Sequence, residues 1–118
     1  SEDDVQEASA FDHSVLAYAI VLQGRRDEAR TALQPALDYY RHQQQTNAHG
    51  TTFRHDFAYA LHVSALACAD DDEGRTHRND DLAEAARLID GASAEAKRLA
   101  YMREIARLVA AARATPRG

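Results

Sequence analysis

The chain has 118 residues, a formal net charge of -5 and 45% hydrophobic residues, but only three Phe and no Trp. This length suits a single domain, whose core must be built mainly from alanine and medium-sized side chains. The negative charge argues against a general nucleic-acid binder, because such proteins present a basic surface to the phosphates.

Only five glycines and two prolines interrupt the chain, which favours long helices and an all-α fold. The apolar spacing predicts a first helix from about Val5 to Gln23. Its apolar stripe comprises Phe11, Val15, Ala19 and Leu22 and is widened by Leu16 and Ile20. Gly24 is predicted to end this helix in the left-handed conformation. Asp27 and Glu28 favour the start of a second helix over about 26–45, since carboxylates stabilise a helix N-terminus.

A third helix is predicted to start at a Thr51 or Thr52 cap and to reach about Ala69. The charged run DDDEGRTHRND at 70–80 is predicted to be a solvated loop. Asp80 or Asp81 would then cap a fourth helix at about 82–90. Ser93 is predicted to cap a fifth helix, which ends near Ala114.

The sequence therefore predicts a single all-α domain of about five helices. It comprises a first helix pair at 5–46, a second pair at 51–91 that carries the inserted loop 70–80, and a capping helix at 93–114.

An internal repeat supports this organisation. LAYAI at 16–20 and FAYAL at 57–61 match at an offset of 41 residues. Glu28–Ala29 matches Glu84–Ala85 at an offset of 56. Because the two offsets differ by 15, the connection in the second pair is predicted to be about 15 residues longer than in the first.

The segment LAYAIVLQGRRDEARTALQPAL at 16–37 resembles a tetratricopeptide repeat, a helix-turn-helix unit of 34 residues. The matching positions are the large-small pair Leu16 and Ala17, the bulky Ile20, the turn glycine Gly24, the small Ala29 of the second helix, Leu33 and Ala36. His13 replaces the family's preferred Trp, Arg41 replaces its closing Pro, and the second unit lacks the turn glycine.

The resemblance implies a fold of two antiparallel helix hairpins and a C-terminal capping helix. Ala17 and Ala29 would be small because the two helices cross closely there, with Leu16, Ile20 and Leu33 around the crossing. Gly24 would supply the positive φ of the turn. Since such units occur in arrays, the chain could also be the C-terminal part of a larger protein.

In this family the first helices of the units line a concave groove that binds peptides. The positions that match the groove are Phe11, Ser14, Tyr18 and Val21 in the first unit and Thr52, His55, Tyr59 and His62 in the second. Tyr18 and Tyr59 would stand side by side. The alternative is that both tyrosines pack against a neighbouring helix, such as the fifth.

Catalytic and metal signatures do not emerge from the sequence. His55 and His62 are seven residues apart, about 10 Å along a helix, which one ion with bonds of about 2 Å cannot bridge. The run DDDEG resembles part of an EF-hand calcium loop. With Gly74 at the sharp turn, however, the first ligand position falls on Ala69, which has no side-chain oxygen, and the last falls on Asp80 rather than Glu. Cys68 is predicted to be a buried free thiol. With no nucleophile elbow and no glycine-rich phosphate cradle, we predict a protein that is not an enzyme and uses no cofactor.

The sequence predicts a protein–protein interaction or scaffold module that binds a peptide or partner domain. The alternative is a helical sensor or regulatory domain that binds a small ligand between helices. A closed pocket lined by Tyr18, Tyr59 and His62 would favour the sensor, and an open surface would favour the module.

Because two repeats bury little apolar surface, we also expect self-association, as a homodimer. No apolar run approaches the roughly 20 residues of a membrane span, so we expect no membrane insertion.

Overall fold

The computed structural model describes residues 2–46 and 50–115, and this part of the chain is all-helical. The helices are α1 (Glu2–Leu22), α2 (Arg26–Gln45), α3 (Thr51–Ala67), α4 (Asp72–Asp90) and α5 (Ala100–Ala114), with a 3-10 turn at Ala96–Arg98 before α5. The predicted all-α class with five helices is confirmed, and α2 has the predicted bounds. The segment NAHG at 47–50 has the composition of a loop, and its residues 47–49 lie outside the described residues.

The helices are arranged in two layers. α1 and α2 form one hairpin, and α3 and α4 form the next. α3 lies between α1 and α5 in the first layer, while α2 packs on α1 and α3, and α4 packs on α3 and α5. Arg41 of α2 reaches Glu84 of α4 at 3.3 Å and so links the two helices of the second layer. The first helices of both hairpins therefore belong to the same layer as α5.

Three rings form the centre of the core. Tyr40 of α2 stacks on Phe57 of α3 with ring centroids 5.6 Å apart, and Phe53 lies 5.7 Å from Phe57. Phe57 is fully buried. Because aromatic side chains bury large areas, this cluster compensates for the many alanines around it.

The turn between α1 and α2 is closed by Gly24, which has a φ of 79°. The Gly24 N–H donates to the Val21 carbonyl at 2.8 Å, and the Arg25 N–H donates to the Ile20 carbonyl at 3.3 Å. Only glycine adopts this left-handed conformation readily, so the predicted role of Gly24 is confirmed.

The predicted loop at 70–80 is wrong, because α4 already begins at Asp72. Asp71 is the N-cap, and its carboxylate accepts the Gly74 N–H at 2.7 Å. Asp72 and Glu73 occupy the first turn, where the helix dipole stabilises negative charge. The acidic run that suggested a solvated loop is therefore the start of a helix.

This correction also changes the register of the repeat. The connections are short in both hairpins, at 23–25 and 68–71, so the predicted longer connection in the second hairpin is wrong. Glu73–Gly74 rather than Glu84–Ala85 now corresponds to Glu28–Ala29. Ala29 and Gly74 are both small, buried residues in the first turn of the second helix of their hairpin.

The predicted apolar stripe of α1 is largely wrong. Val15, Leu16 and Leu22 are 44%, 55% and 70% exposed, whereas Ala10, Ser14 and Ala17 are buried. The buried face is thus formed by small residues, which allow close approach of the neighbouring helices. Leu16 does not fill the space around the helix crossing, although Ala17, Ala29 and Leu33 are buried as predicted.

Two other predicted helix starts differ from the structure. The N-cap of α3 is Gly50 rather than a threonine. The Ser93 hydroxyl accepts the Ala96 N–H at 3.1 Å, but this bond caps the 3-10 turn, and α5 begins only at Ala100. The end of α5 at Ala114 matches the prediction.

Three arginines connect successive helices through carbonyl groups near the helix C-termini. Arg30 of α2 donates to the Ala67 carbonyl of α3. Arg54 of α3 donates to the Leu88 carbonyl of α4 at 2.9 Å. Arg78 of α4 donates to the carbonyls of Ala112 and Thr115 at the end of α5. Since these carbonyls carry the negative end of the helix dipole, each guanidinium supplies both a donor and a favourable charge.

Candidate binding surface

Aromatic and imidazole side chains from α1, α3 and α5 meet on their common layer. We call this set the aromatic patch; it comprises Phe11, Tyr18, His55, Tyr59 and Tyr101. The ring of Tyr59 lies 5.4 Å from that of Phe11 and 6.1 Å from that of Tyr18, centroid to centroid. The His55 ring lies 5.0 Å from that of Tyr101. The patch therefore runs without interruption from α1 across α3 to α5.

Helical spacing brings these side chains together. Phe11 and Tyr18 are two turns apart on α1, and His55 and Tyr59 are one turn apart on α3, so each pair shares a helix face. The predicted side-by-side arrangement of Tyr18 and Tyr59 is confirmed, with the rings nearly perpendicular at 85°. Edge-to-face contacts of this kind are a favoured aromatic geometry.

The orientation of His55 is set by the neighbouring Asp56. The His55 Nδ1 lies 2.7 Å from an Asp56 carboxylate oxygen, and the Asp56 side chain is buried. With Nδ1 donating to that carboxylate, the ring stands at 89° to Tyr101. A buried acid thus orients an imidazole at the centre of the patch.

The patch is only partly covered by the protein. Phe11, Tyr18, His55 and Tyr59 are half-buried, and Tyr101 is 43% exposed. Burial, together with the neighbouring Tyr18, raises the pKa of the Tyr59 hydroxyl, which therefore stays protonated as a hydrogen-bond donor. The patch consequently combines apolar ring area with polar tips.

Five of the eight predicted groove residues form one continuous set of ring contacts: Phe11, Tyr18, His55, Tyr59 and His62. His62 lies in the interior, 5% exposed, with its ring 6.4 Å from that of Tyr18. Burial lowers the pKa of His62, so its imidazole is neutral at pH 7. His62 therefore supports the patch from below and does not line an open surface.

The other three predicted groove residues lie outside the patch. The prediction for Ser14 is wrong, because its side chain is fully buried and donates to the Ala10 carbonyl at 3.2 Å. Val21 is half-buried against the core, and Thr52 is exposed in the first turn of α3. Sequence reasoning missed Tyr101, because α5 has no counterpart in the repeat that would mark this tyrosine.

Histidine, cysteine and acidic side chains do not form a metal site in the described part of the chain. Among residues 2–46 and 50–115, no group of three or more His, Cys, Asp or Glu side chains is placed to hold a metal ion. The Cys68 thiol is buried, as predicted, and its Sγ donates to the Ser64 carbonyl at 3.3 Å.

Four surface cavities have walls that contain no residue of the patch. They lie in the described part of the chain and have volumes of about 210 to 450 Å³. Their walls do not include Tyr18, Tyr59 or His62. None of these four is therefore the closed pocket that a ligand sensor built on these residues would need.

Comparison with family models, with curated proteins and with solved structures finds no match to this chain. In the portion that the structure describes, no helix is long and apolar enough to span a bilayer.

Proposed function

We propose that this chain is a protein–protein interaction module of the tetratricopeptide type, which binds a peptide or an extended segment of a partner protein across the aromatic patch. The observation that carries the proposal is the row of half-exposed rings from Phe11 to Tyr101 over three helices. Tyrosines are frequent at binding hot spots, because each buries a large rigid ring and retains a polar tip.

The arrangement of the helices supports this type of module. The first helices of both hairpins share a layer with α5, and the second helices pack behind them. Ala17 and Ala29 are fully buried, and Gly24 forms the tight turn, as the family pattern requires. In such an arrangement, one extended partner can contact side chains of α1, α3 and α5 at the same time.

The shape of the surface favours a peptide over a small ligand. Tyr18 and Tyr59 remain partly open to solvent, and none of the four surface cavities described above includes them. A surface of this kind encloses little of a small molecule, whereas small-molecule sites usually bury most of their ligand. A peptide can instead make several successive contacts along the row of rings.

Peptide selection tests the proposal directly. A random peptide library displayed on phage is selected on the wild-type chain, and the affinity of the selected peptides is measured by fluorescence anisotropy. Tyr101→Ala and the double variant Tyr18→Ala/Tyr59→Ala should weaken binding by about ten-fold or more, since each removes a hot-spot ring. Leu16→Ala is the matched control, because Leu16 is an exposed α1 residue outside the patch.

Circular dichroism separates a binding role from a folding role. If the double variant loses its helical signal, the two tyrosines are core residues, and the exposed Tyr101 then decides the test. Selected peptides that bind Tyr101→Ala and the folded double variant as tightly as the wild type would contradict the proposal. Failure to select any peptide would also count against it.

A further inference from the structure

The two end helices of the first layer carry opposite charge. α1 contains five acidic residues and neither Lys nor Arg: Glu2, Asp3, Asp4, Glu7 and Asp12. The segment 96–114, which includes the 3-10 turn and α5, contains five basic residues and one acidic residue: Lys97, Arg98, Arg103, Arg107, Arg113 and Glu104. Because α3 separates α1 from α5, α1 gives the first layer an acidic end and the segment 96–114 gives it a basic end, although α4 beside α5 carries six acidic and three basic residues.

The acidic end also exposes large apolar side chains. Leu16 and Leu22 of α1 are 55% and 70% exposed, and Val15 is 44% exposed. Asp12 is exposed one turn before Leu16, so a carboxylate and an isobutyl group project from the same face of α1. A helix face of this composition is typical of a contact surface rather than of a purely solvated one.

A groove of complementary chemistry lies at the basic end, between α4 and α5. It has a volume of about 450 Å³; its apolar wall is formed by Ile89, Met102 and Ala106, and its charged wall by Asp90, Lys97, Arg103 and Arg107. Arg107 is already paired with Glu104 through bonds of 2.6 and 3.0 Å. Within the described residues, Lys97 and Arg103 form no salt bridge, so two cations beside the groove remain available to an acidic group.

We propose that copies of this chain associate head to tail, with α1 of one copy seated in the α4–α5 groove of the next copy. Leu16 enters the apolar part of the groove, and Asp12 faces Arg103 of the neighbouring copy. Opposite charges bring the two ends together, and the apolar contact removes the exposed leucine from water.

The charge distribution disfavours the symmetric homodimer that the sequence suggested. A symmetric contact through α1 alone would set this acidic helix against a second copy of itself, and one through α5 alone would set its cations against each other. After each head-to-tail contact, the complex still has one α1 and one α4–α5 groove that are not in contact with another copy. Association therefore continues beyond two copies unless the chain of copies closes into a ring.

End-blocked variants test this arrangement. Leu16→Glu blocks the acidic end, and Arg103→Glu blocks the basic end; both positions are exposed, so the monomer fold is retained. By sedimentation velocity the wild type should form complexes larger than two copies that grow with concentration and dissociate in high salt. Each variant alone should be monomeric. An equimolar mixture should form a complex of twice the 13.0 kDa of one copy, and nothing larger.

Arg113→Glu is the matched control, because it makes the same change of charge on α5 outside the groove. It should associate like the wild type. A wild type that stays monomeric at about 100 µM, a wild-type assembly that either end variant leaves intact, or a mixture that stays monomeric would overturn the proposal. The peptide-binding proposal is independent of this outcome, since the aromatic patch shares no residue with the groove.

Discussion

The first helices of the two hairpins carry the same sequence repeat but differ in burial. α3 buries ten of its 17 residues, among them Phe57, Ala58 and Leu61. α1 buries only Ala10, Ser14 and Ala17 among its described side chains. The reason is position, because α3 lies between α1 and α5, whereas α1 has a neighbour in its layer on one side only. A repeat therefore specifies the local helix, and the place of the helix in the stack determines which side chains are buried.

The largest expected difference in stability is between substitutions at two residues that occupy the same position of the repeat. Leu16 and Phe57 occupy the same repeat position, but Phe57 is fully buried and Leu16 is 55% exposed. Phe57→Ala should lower the free energy of unfolding by about 3–5 kcal/mol through loss of buried area and a residual cavity. Leu16→Ala should change it by less than about 0.5 kcal/mol. Urea denaturation at low protein concentration measures both, and similar losses would contradict the comparison.

The second prediction concerns the small residues that start the second helices. A Cβ at Gly74 would overlap the Ala69 backbone carbonyl, which cannot move aside as a flexible side chain can. Gly74→Ala should therefore destabilise the fold by about 2–3 kcal/mol, despite a gain of about 1 kcal/mol in helix propensity. Ala29→Gly should cost about 1–2 kcal/mol through lost propensity and a lost buried methyl group. A Gly74→Ala variant more stable than the wild type in thermal denaturation would show that the α3–α4 turn is not tightly packed.

The third prediction concerns a feature that the hairpins share. Arg78 donates to two carbonyls at the end of α5 and is itself buried, so Arg78→Ala should cost about 1–3 kcal/mol. Within the described residues Arg75, one turn earlier on α4, pairs with the exposed Asp72, so Arg75→Ala should cost less than about 0.5 kcal/mol. Hydrogen exchange of the α5 amides gives a second measurement. Only Arg78→Ala should accelerate it, and equal acceleration in both variants would contradict the assigned role.

The smallest effect is a pH dependence that arises in α3. Burial lowers the pKa of His62 below 6.5, so below pH 6.5 the unfolded state binds more protons than the folded state. Stability should therefore fall as the pH decreases from 7 towards 5, and His62→Gln should reduce this slope. The repeat partner of His62 in α1 is Val21, which does not titrate. His77→Gln on the exposed face of α4 is the control, and an equal reduction of the slope there would contradict the role of His62.

Local chemistry made several features predictable. Gly24 in the α1–α2 turn, together with Asp27 and Glu28 just after it, predicted where α2 begins. The matching tyrosines Tyr18 and Tyr59 predicted the centre of the patch. The start of α4 was not predictable in the same way, because a run of acidic residues is compatible both with a solvated loop and with the cap and first turn of a helix. The contacts of Arg78 with the end of α5 distinguish the two, and these contacts are not visible without the neighbouring helix.

By itself, the sequence determined that this protein is all-α, that Gly24 closes the first turn, and that Tyr18 and Tyr59 are neighbours. Each of these follows from backbone preference or from helical period, which act over a few residues. Only the tertiary structure decided that Leu16 is exposed while Phe57 is buried, and that Tyr101 joins the patch. Burial depends on which helices lie on either side, and that information is distributed over residues far apart in the chain.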